Sequence, residues 1–199
     1  MPAPRTPGGA REALAVFLGT RALLWLVGAV TVTAFSSHLS PERGRWDDPI
    51  LHDAGAWLDV WARWDSYWFL EIADGGYRWP SSTPAFFPLT PLAIRAVGLL
   101  TGGHLVVAGV LVSLVAGSAA FVLLHRLTER LADRATARVA VVALALFPTS
   151  FFLGAVYSES LFLLTAIGAF VLAERRQLGW ASVVAGLAIL TRAQGVALL

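Results

Sequence analysis

The chain contains neither cysteine nor lysine. Without cysteine there is no thiolate catalysis, no disulfide framework and no cysteine-based metal or iron–sulfur centre. Charge of either sign is scarce: 15 Arg and 13 Asp or Glu make up 14% of 199 residues, where a soluble domain carries about a quarter. With 57% hydrophobic residues and a mean hydropathy of +0.68, too little polar surface is left to cover a water-soluble globule, so the composition is that of a membrane protein. A net charge of +2 and a pI near 9.7 would suit a nucleic-acid binder. The arginines, however, sit at the ends of apolar segments and form no basic stripe, so the expected partner is the bilayer and not a nucleic acid. Walker, Rossmann and Gly-x-Ser-x-Gly motifs are also missing. His38, His52, His104 and His125 stand at no metal-ligand spacing. The expectation is therefore an enzyme with no cofactor and no metal, and a membrane-soluble activated donor fits better than a soluble nucleotide.

What is present is organised by hydropathy into an all-α polytopic pattern of about five spans. Residues 13–35 are apolar apart from Gly, Thr and Arg21, and 23 residues suffice for a hydrocarbon core that needs about 20. The run is too long for a signal peptide and lacks a small-residue cleavage site, so it reads as a retained span. Further spans are expected over 105–124, 137–153, 157–173 and 178–199, the last interrupted near its end. The sequence stops at Leu199 inside an apolar run, as expected of a piece of a longer chain. With the N-terminus cytoplasmic, the inner segments 1–12, 125–138 and 174–177 carry eight Arg in 30 residues, against four in the 60 residues of 36–90 and 154–158. The fourfold difference in density sets the orientation, and the expected location is a bacterial plasma membrane. Residues 85–100, with Pro88 and Pro91, then read as an interfacial or bent lead-in to the second span.

The remaining outer loop, 36–90, holds eight acids against four Arg and six of the eight Trp (46, 57, 61, 64, 68, 79). Trp settles at the headgroup level of a bilayer, and long loops are usually functional or disordered. So much tryptophan argues against disorder, and residues 51–73 are expected to form one or two amphipathic helices on the outer membrane face. On one helix, Trp61, Asp65, Trp68, Phe69 and Ile72 share a stripe. That arrangement sets a carboxylate among aromatics, partly desolvated and thereby more basic, as a general base requires. The competing readings of Asp65 are an N-cap or an ion pair with Arg63. Asp47 and Asp48 are a second carboxylate pair, either solvated or a metal or base site. Glu159 opens a helix from the outside, where an acid complements the helix dipole or, alternatively, contacts a sugar or acceptor hydroxyl. Arg192, 14 residues into the last span, lies about 21 Å deep, at phosphate level in the outer leaflet. An arginine there marks a functional site or snorkels to the surface, and Gln194 and Gly195 beside it suggest a helix that bends to admit something.

Residues 63–73 (Arg-Trp-Asp-Ser-Tyr-Trp-Phe-Leu-Glu-Ile-Ala), Gly76-Tyr77 and residues 85–92 (Ala-Phe-Phe-Pro-Leu-Thr-Pro-Leu) together resemble the first luminal loop of the PIG-V mannosyltransferases, members of the GT-C class of polyprenyl-phosphate-sugar transferases. Residues 157–162 (Tyr-Ser-Glu-Ser-Leu-Phe) and 190–195 (Leu-Thr-Arg-Ala-Gln-Gly) resemble later motifs of that family, in the same order. The resemblance implies a GT-C-like helical membrane fold, of which this chain supplies an N-terminal half. It also implies an inverting transfer of mannose from a polyprenyl-phosphate donor to a hydroxyl acceptor (a glycolipid or another hydroxyl) on the extracytoplasmic side. Asp65 matches the acid that deprotonates the acceptor, and Arg192 is the candidate for the donor phosphate. Glu71, Tyr157 and Glu159, with Arg63, Tyr77 and Gln194, are further candidate substrate contacts. The alternatives are the same fold using another sugar, or a non-catalytic polytopic scaffold or transporter-like subunit whose loop docks a partner or lipid.

Overall fold

A computed structural model describes residues 7–35, 48–79 and 83–198, and among the described residues the chain is helical with no strand. Two helices dominate. α1 (Pro7–Phe35) and α5 (Leu105–Leu131) have 29 and 27 residues, about 40 Å each, and both are long and apolar enough to cross a membrane. α1 leaves Leu18, Leu23, Leu26, Val27, Val30 and Phe35 exposed. The core helix of a soluble protein buries such a stripe, so the exposed face points to a membrane protein.

The three later apolar runs are shorter than the hydropathy suggests. α6 (Arg134–Ala145), α7 (Glu159–Glu174) and α8 (Leu178–Ile189) have 12, 16 and 12 residues, about 18, 24 and 18 Å against a hydrocarbon core of about 30 Å. The continuous helix expected over 137–153 is not what the chain forms, whereas the interruption expected near the end of 178–199 falls after Ile189, and the physical reasons are local. Pro148 has no N–H to continue α6, and a 3-10 turn, Ser150–Gly154, follows. After Ile189 the amides of Thr191 and Arg192 both turn back to the Ala188 carbonyl. Gly195 then lies so close to the backbone of Ala188 and Ile189 that any Cβ would collide with it, and this close approach lets the 3-10 segment Ala193–Leu198 fold against α8. The expected span over 157–173 begins as a helix only at Glu159.

One end of the bundle gathers the arginines. Glu12 of α1 pairs with Arg138 and, at 3.4 Å, Arg134 of α6, and Arg130 of α5 pairs with Glu174 of α7 at 3.2 Å. From this end α6 and α7 reach only part of the way along α5, and α8 packs on α7. Ser160, at the head of α7, meets Gly117, and the Tyr157 carbonyl accepts a 3.5 Å hydrogen bond from Ser113 Oγ, about 12 Å in from Leu105. The space beyond is filled by α2 (Ala56–Asp59), α3 (Ser66–Gly75) and α4 (Leu89–Gly98). Among the apolar clusters of the described residues, two bear on the site. Phe69, Leu70, Ile94, Val106 and Val156 form one around the loop helices, and Phe17, Phe121, Val141 and Leu153 form the other nearer the arginine end.

Residues 85–100, read as an interfacial or bent lead-in, do not run continuously into α5. α4 is a separate helix folded back along it, and Gly102 (φ 67°) and Gly103 (φ 92°) make the reversal in a region that only glycine enters freely. The site lies where α3, α4 and the heads of α7 and the α8 turn converge.

Candidate active site

The Trp-rich segment does not form one amphipathic helix. Trp64 adopts φ 51°, which breaks the chain between α2 and α3 and dissolves the single stripe read from the spacing. Trp61 stacks on Trp25 of α1 with ring centroids 5.9 Å apart. Trp68 stacks on Phe86 at 5.8 Å, and Phe69 and Ile72 are buried. Asp65 is left at the N-cap position of α3, exposed, with no side-chain capping bond. Its expected embedding among aromatics is therefore corrected: the carboxylate opens to solvent instead of being desolvated. Of the alternatives, the structure gives the N-cap position without a side-chain capping bond.

What fixes Asp65 is a set of hydrogen bonds across some ninety residues of sequence. The Val156 amide donates to the Trp61 carbonyl at 2.9 Å, Ser66 Oγ donates to the Val156 carbonyl at 2.9 Å, and Tyr157 Oη donates to the Arg63 carbonyl at 3.0 Å. Ser66 is fully buried, so its hydroxyl leaves a desolvated carbonyl unsatisfied if removed. Ser66→Ala is expected to lower stability by about 1–3 kcal/mol and to slow turnover along with it. Thermal unfolding and the transfer rate of the purified protein check this together. Sequence reasoning missed Ser66 because its partner is a backbone oxygen.

This stitching brings four chain segments to one cleft of about 190 Å³, lined by Asp65, Phe69, residues 85–87, residues 157–159 and residues 191–194. Of the residues singled out from sequence, Asp65, Tyr157, Glu159, Arg192 and Gln194 all face it. Arg192 follows the end of α8 in a turn, rather than lying along a span, and it is not a lone cation. Its Nη1 is 2.5 Å from Glu159 Oε1, both side chains are about one-quarter to one-third exposed, and Glu159 Oε2 is buried without a hydrogen bond. Phe69 and Tyr157 meet edge to face at 6.5 Å, so aromatic rings form part of the wall.

Three other candidates lie elsewhere. Glu71 sits on α3 beside Tyr67, outside the cleft lining, with Oε2 buried and unbonded; burial first, then the Glu71 carboxylate, pushes the Tyr67 phenol up. Arg63 contributes its carbonyl to the stitching, while its guanidinium lies 3.5 Å from His52 Nε2. Tyr77 is exposed and donates to the Phe86 carbonyl at 2.8 Å. Asp48 caps the turn Pro49–Leu51 by accepting from the Ile50 amide at 3.1 Å, whereas Asp47 lies outside the described residues. Asp59, which the sequence did not single out, is a buried carboxylate held up from its ordinary value by desolvation. It accepts from the Ala54 amide at 2.9 Å. Among the described residues, no group of three or more His, Asp or Glu is arranged to hold a metal ion.

No curated protein and no solved structure matches the chain. Residues 17–198 do match the family described as Mannosyltransferase (PIG-V), a stretch that contains every element of the cleft. The chain therefore belongs to the PIG-V mannosyltransferase family and is a glycosyltransferase.

Proposed function

We propose that the protein spans a membrane with its N-terminus in the cytoplasm and transfers mannose from a polyprenyl-phosphate donor to a hydroxyl acceptor on the extracytoplasmic side. The observation that carries the reading is the single cleft in which Asp65 and Arg192, 127 positions apart in sequence, meet beside Tyr157, Glu159 and Gln194. The arginine-rich end of the bundle lies away from that cleft, as the charge rule expects of a cytoplasmic end. In the reaction, Asp65 takes the proton of the acceptor hydroxyl, the hydroxyl oxygen attacks the anomeric carbon, and the bond from that carbon to the phosphate oxygen breaks. The product glycoside is inverted, and polyprenyl phosphate leaves with the bonding electron pair.

Arg192 supplies the phosphate contact. A guanidinium carries five donors in a fixed fork, and Glu159 Oε1 engages Nη1. Glu159 aims the fork, and the phosphate shares it. Phe69, Phe86, Phe87 and Tyr157 offer apolar walls for a sugar ring, with Gln194 as a polar contact.

A photoreactive polyprenyl-phosphate analogue tests the placement. The expected result is labelling of peptides containing both Asp65 and Arg192, competed by unlabelled polyprenyl phosphate. Labelling confined to the exposed face of α1 would sink the proposal.

A further inference from the structure

Arg21 lies in the middle of α1 and is 3% exposed, an expensive place for a permanent cation. Among the described residues, the partners of its guanidinium are backbone and hydroxyl oxygens of one short stretch, with no carboxylate. Nη1 donates to the Ser150 carbonyl, and Nη2 donates to Ser150 Oγ at 3.2 Å and to the Ala145 carbonyl at 3.4 Å. Its aliphatic stem rests on Gly154, where any Cβ would strike Cδ, and the guanidinium carbon sits 5.4 Å from the centre of the Phe17 ring.

Those oxygens exist because α6 breaks. Ala145 is the last residue of the helix, and its carbonyl has no i+4 amide to receive; Ser150 Oγ donates to it at 2.6 Å, and Arg21 adds a positive charge at the negative end of the helix dipole. The break delivers the cleft residues. From Ser150 the chain passes through the turn to Val156, Tyr157 and Glu159. On its other flank Ser160 Oγ donates to the Leu153 carbonyl at 2.8 Å.

We propose that Arg21 is a positioning residue for transfer: its guanidinium holds the break between α6 and α7 in the one geometry that presents Tyr157 and Glu159 to the cleft. The residues that Arg21 bonds, Ala145 and Ser150, lie outside the cleft lining, so it acts through the 145–156 segment. The inference rests on the reading of that cleft as the site of transfer.

A buried cation that serves geometry has a particular signature. Removing the guanidinium takes a donor from the Ser150 and Ala145 carbonyls but also removes the cost of burying a permanent cation, and the two offset in stability, whereas a misplacement of about 1 Å at a reacting centre costs about a hundredfold in rate. In Arg21→Met, kcat is expected to fall about ten- to a hundredfold while the melting temperature stays level or rises, and Arg21→Lys is expected to recover part of the rate. The chain has no cysteine of its own, so Ser158→Cys reports on the segment directly. In the Arg21→Met background a small thiol reagent is expected to label it roughly tenfold faster, because the anchored segment opens more often. Wild-type kcat and wild-type labelling in a folded Arg21→Met protein overturn the proposal, as does a rate loss that only tracks a fall in melting temperature. Should Arg21→Met fail to fold, Arg21→Gln and Ser150→Ala carry the same measurements, and wild-type values in both overturn it. Asp65→Asn assayed alongside separates the two ideas. An active Asp65→Asn protein removes the reading of the cleft itself, whereas an inactive one beside a fully active Arg21→Met protein removes only the role of Arg21.

Discussion

Asp65→Asn is expected to lower the rate of mannosyl transfer by about 10²–10⁴-fold, the range general-base catalysis contributes, while leaving the protein folded. The amide has nearly the same shape as the carboxylate and loses only its capacity to take a proton. Because the Asp65 side chain is exposed and makes no capping bond, its substitution is expected to change stability by no more than about 0.5 kcal/mol. Donor affinity should also hold, because the phosphate contact is made elsewhere. Steady-state transfer from a polyprenyl-phosphate-mannose donor, with thermal unfolding of the same preparation, reads both quantities. A wild-type rate in this variant would remove Asp65 from the chemistry and leave the cleft without a base.

Arg192→Met is expected to cost about 10²–10³ in kcat, as does the loss of one preorganised group facing developing charge. In the proposed polyprenyl-phosphate donor, the linkage is a phosphodiester with one negative charge. As the glycosidic bond breaks, the leaving phosphate gains a second charge, so a guanidinium beside it binds the transition state more tightly than the ground state. Only that difference accelerates the step. The loss should therefore fall mainly on kcat, with a smaller rise in donor KM. Arg192→Lys keeps the charge but not the planar fork, and is expected to retain an intermediate rate. The substitution also releases Glu159 from its 2.5 Å pairing, leaving a carboxylate whose Oε2 is already buried and unbonded. Combining Arg192→Met with Glu159→Gln is thus expected to restore stability without restoring turnover. A rise in KM with kcat unchanged would mean that Arg192 anchors the donor and takes no part in the bond-breaking step.

Much of the cleft is legible in the sequence, because its side chains are of unusual type for their surroundings. An aspartate in a tryptophan-rich loop, and an arginine and a glutamate beside apolar runs, stand out without any coordinates. What joins them is not legible. The break after Ala145 falls inside an apolar run that includes Leu146 and Phe147, and hydropathy averages across Pro148. The left-handed turn at Trp64 has no local marker, since the residue types that favour positive φ are glycine, asparagine and aspartate. The partners of Ser66, Tyr157 and Arg21 are carbonyl oxygens, which every residue possesses, so no pattern of side chains encodes those contacts. The spacing that places Asp65 on an aromatic stripe fails for the same reason: periodicity assumes a continuous helix, and the chain is interrupted one residue earlier.

The bonds that tie 61–66 to 156–157 span 90 and 94 positions for the Ser66 and Tyr157 contacts. At about 5–20 residues per second, the ribosome makes the first half of the cleft on the order of ten seconds before the second half exists. During that interval the Trp61 carbonyl lacks its Val156 donor, and the Arg63 carbonyl has the Ser66 amide but not the Tyr157 hydroxyl. The cleft is thus completed late in biogenesis, when the sixth helix has broken and its following turn has docked, and a nascent chain arrested before residue 156 carries Asp65, the proposed base, without the pocket.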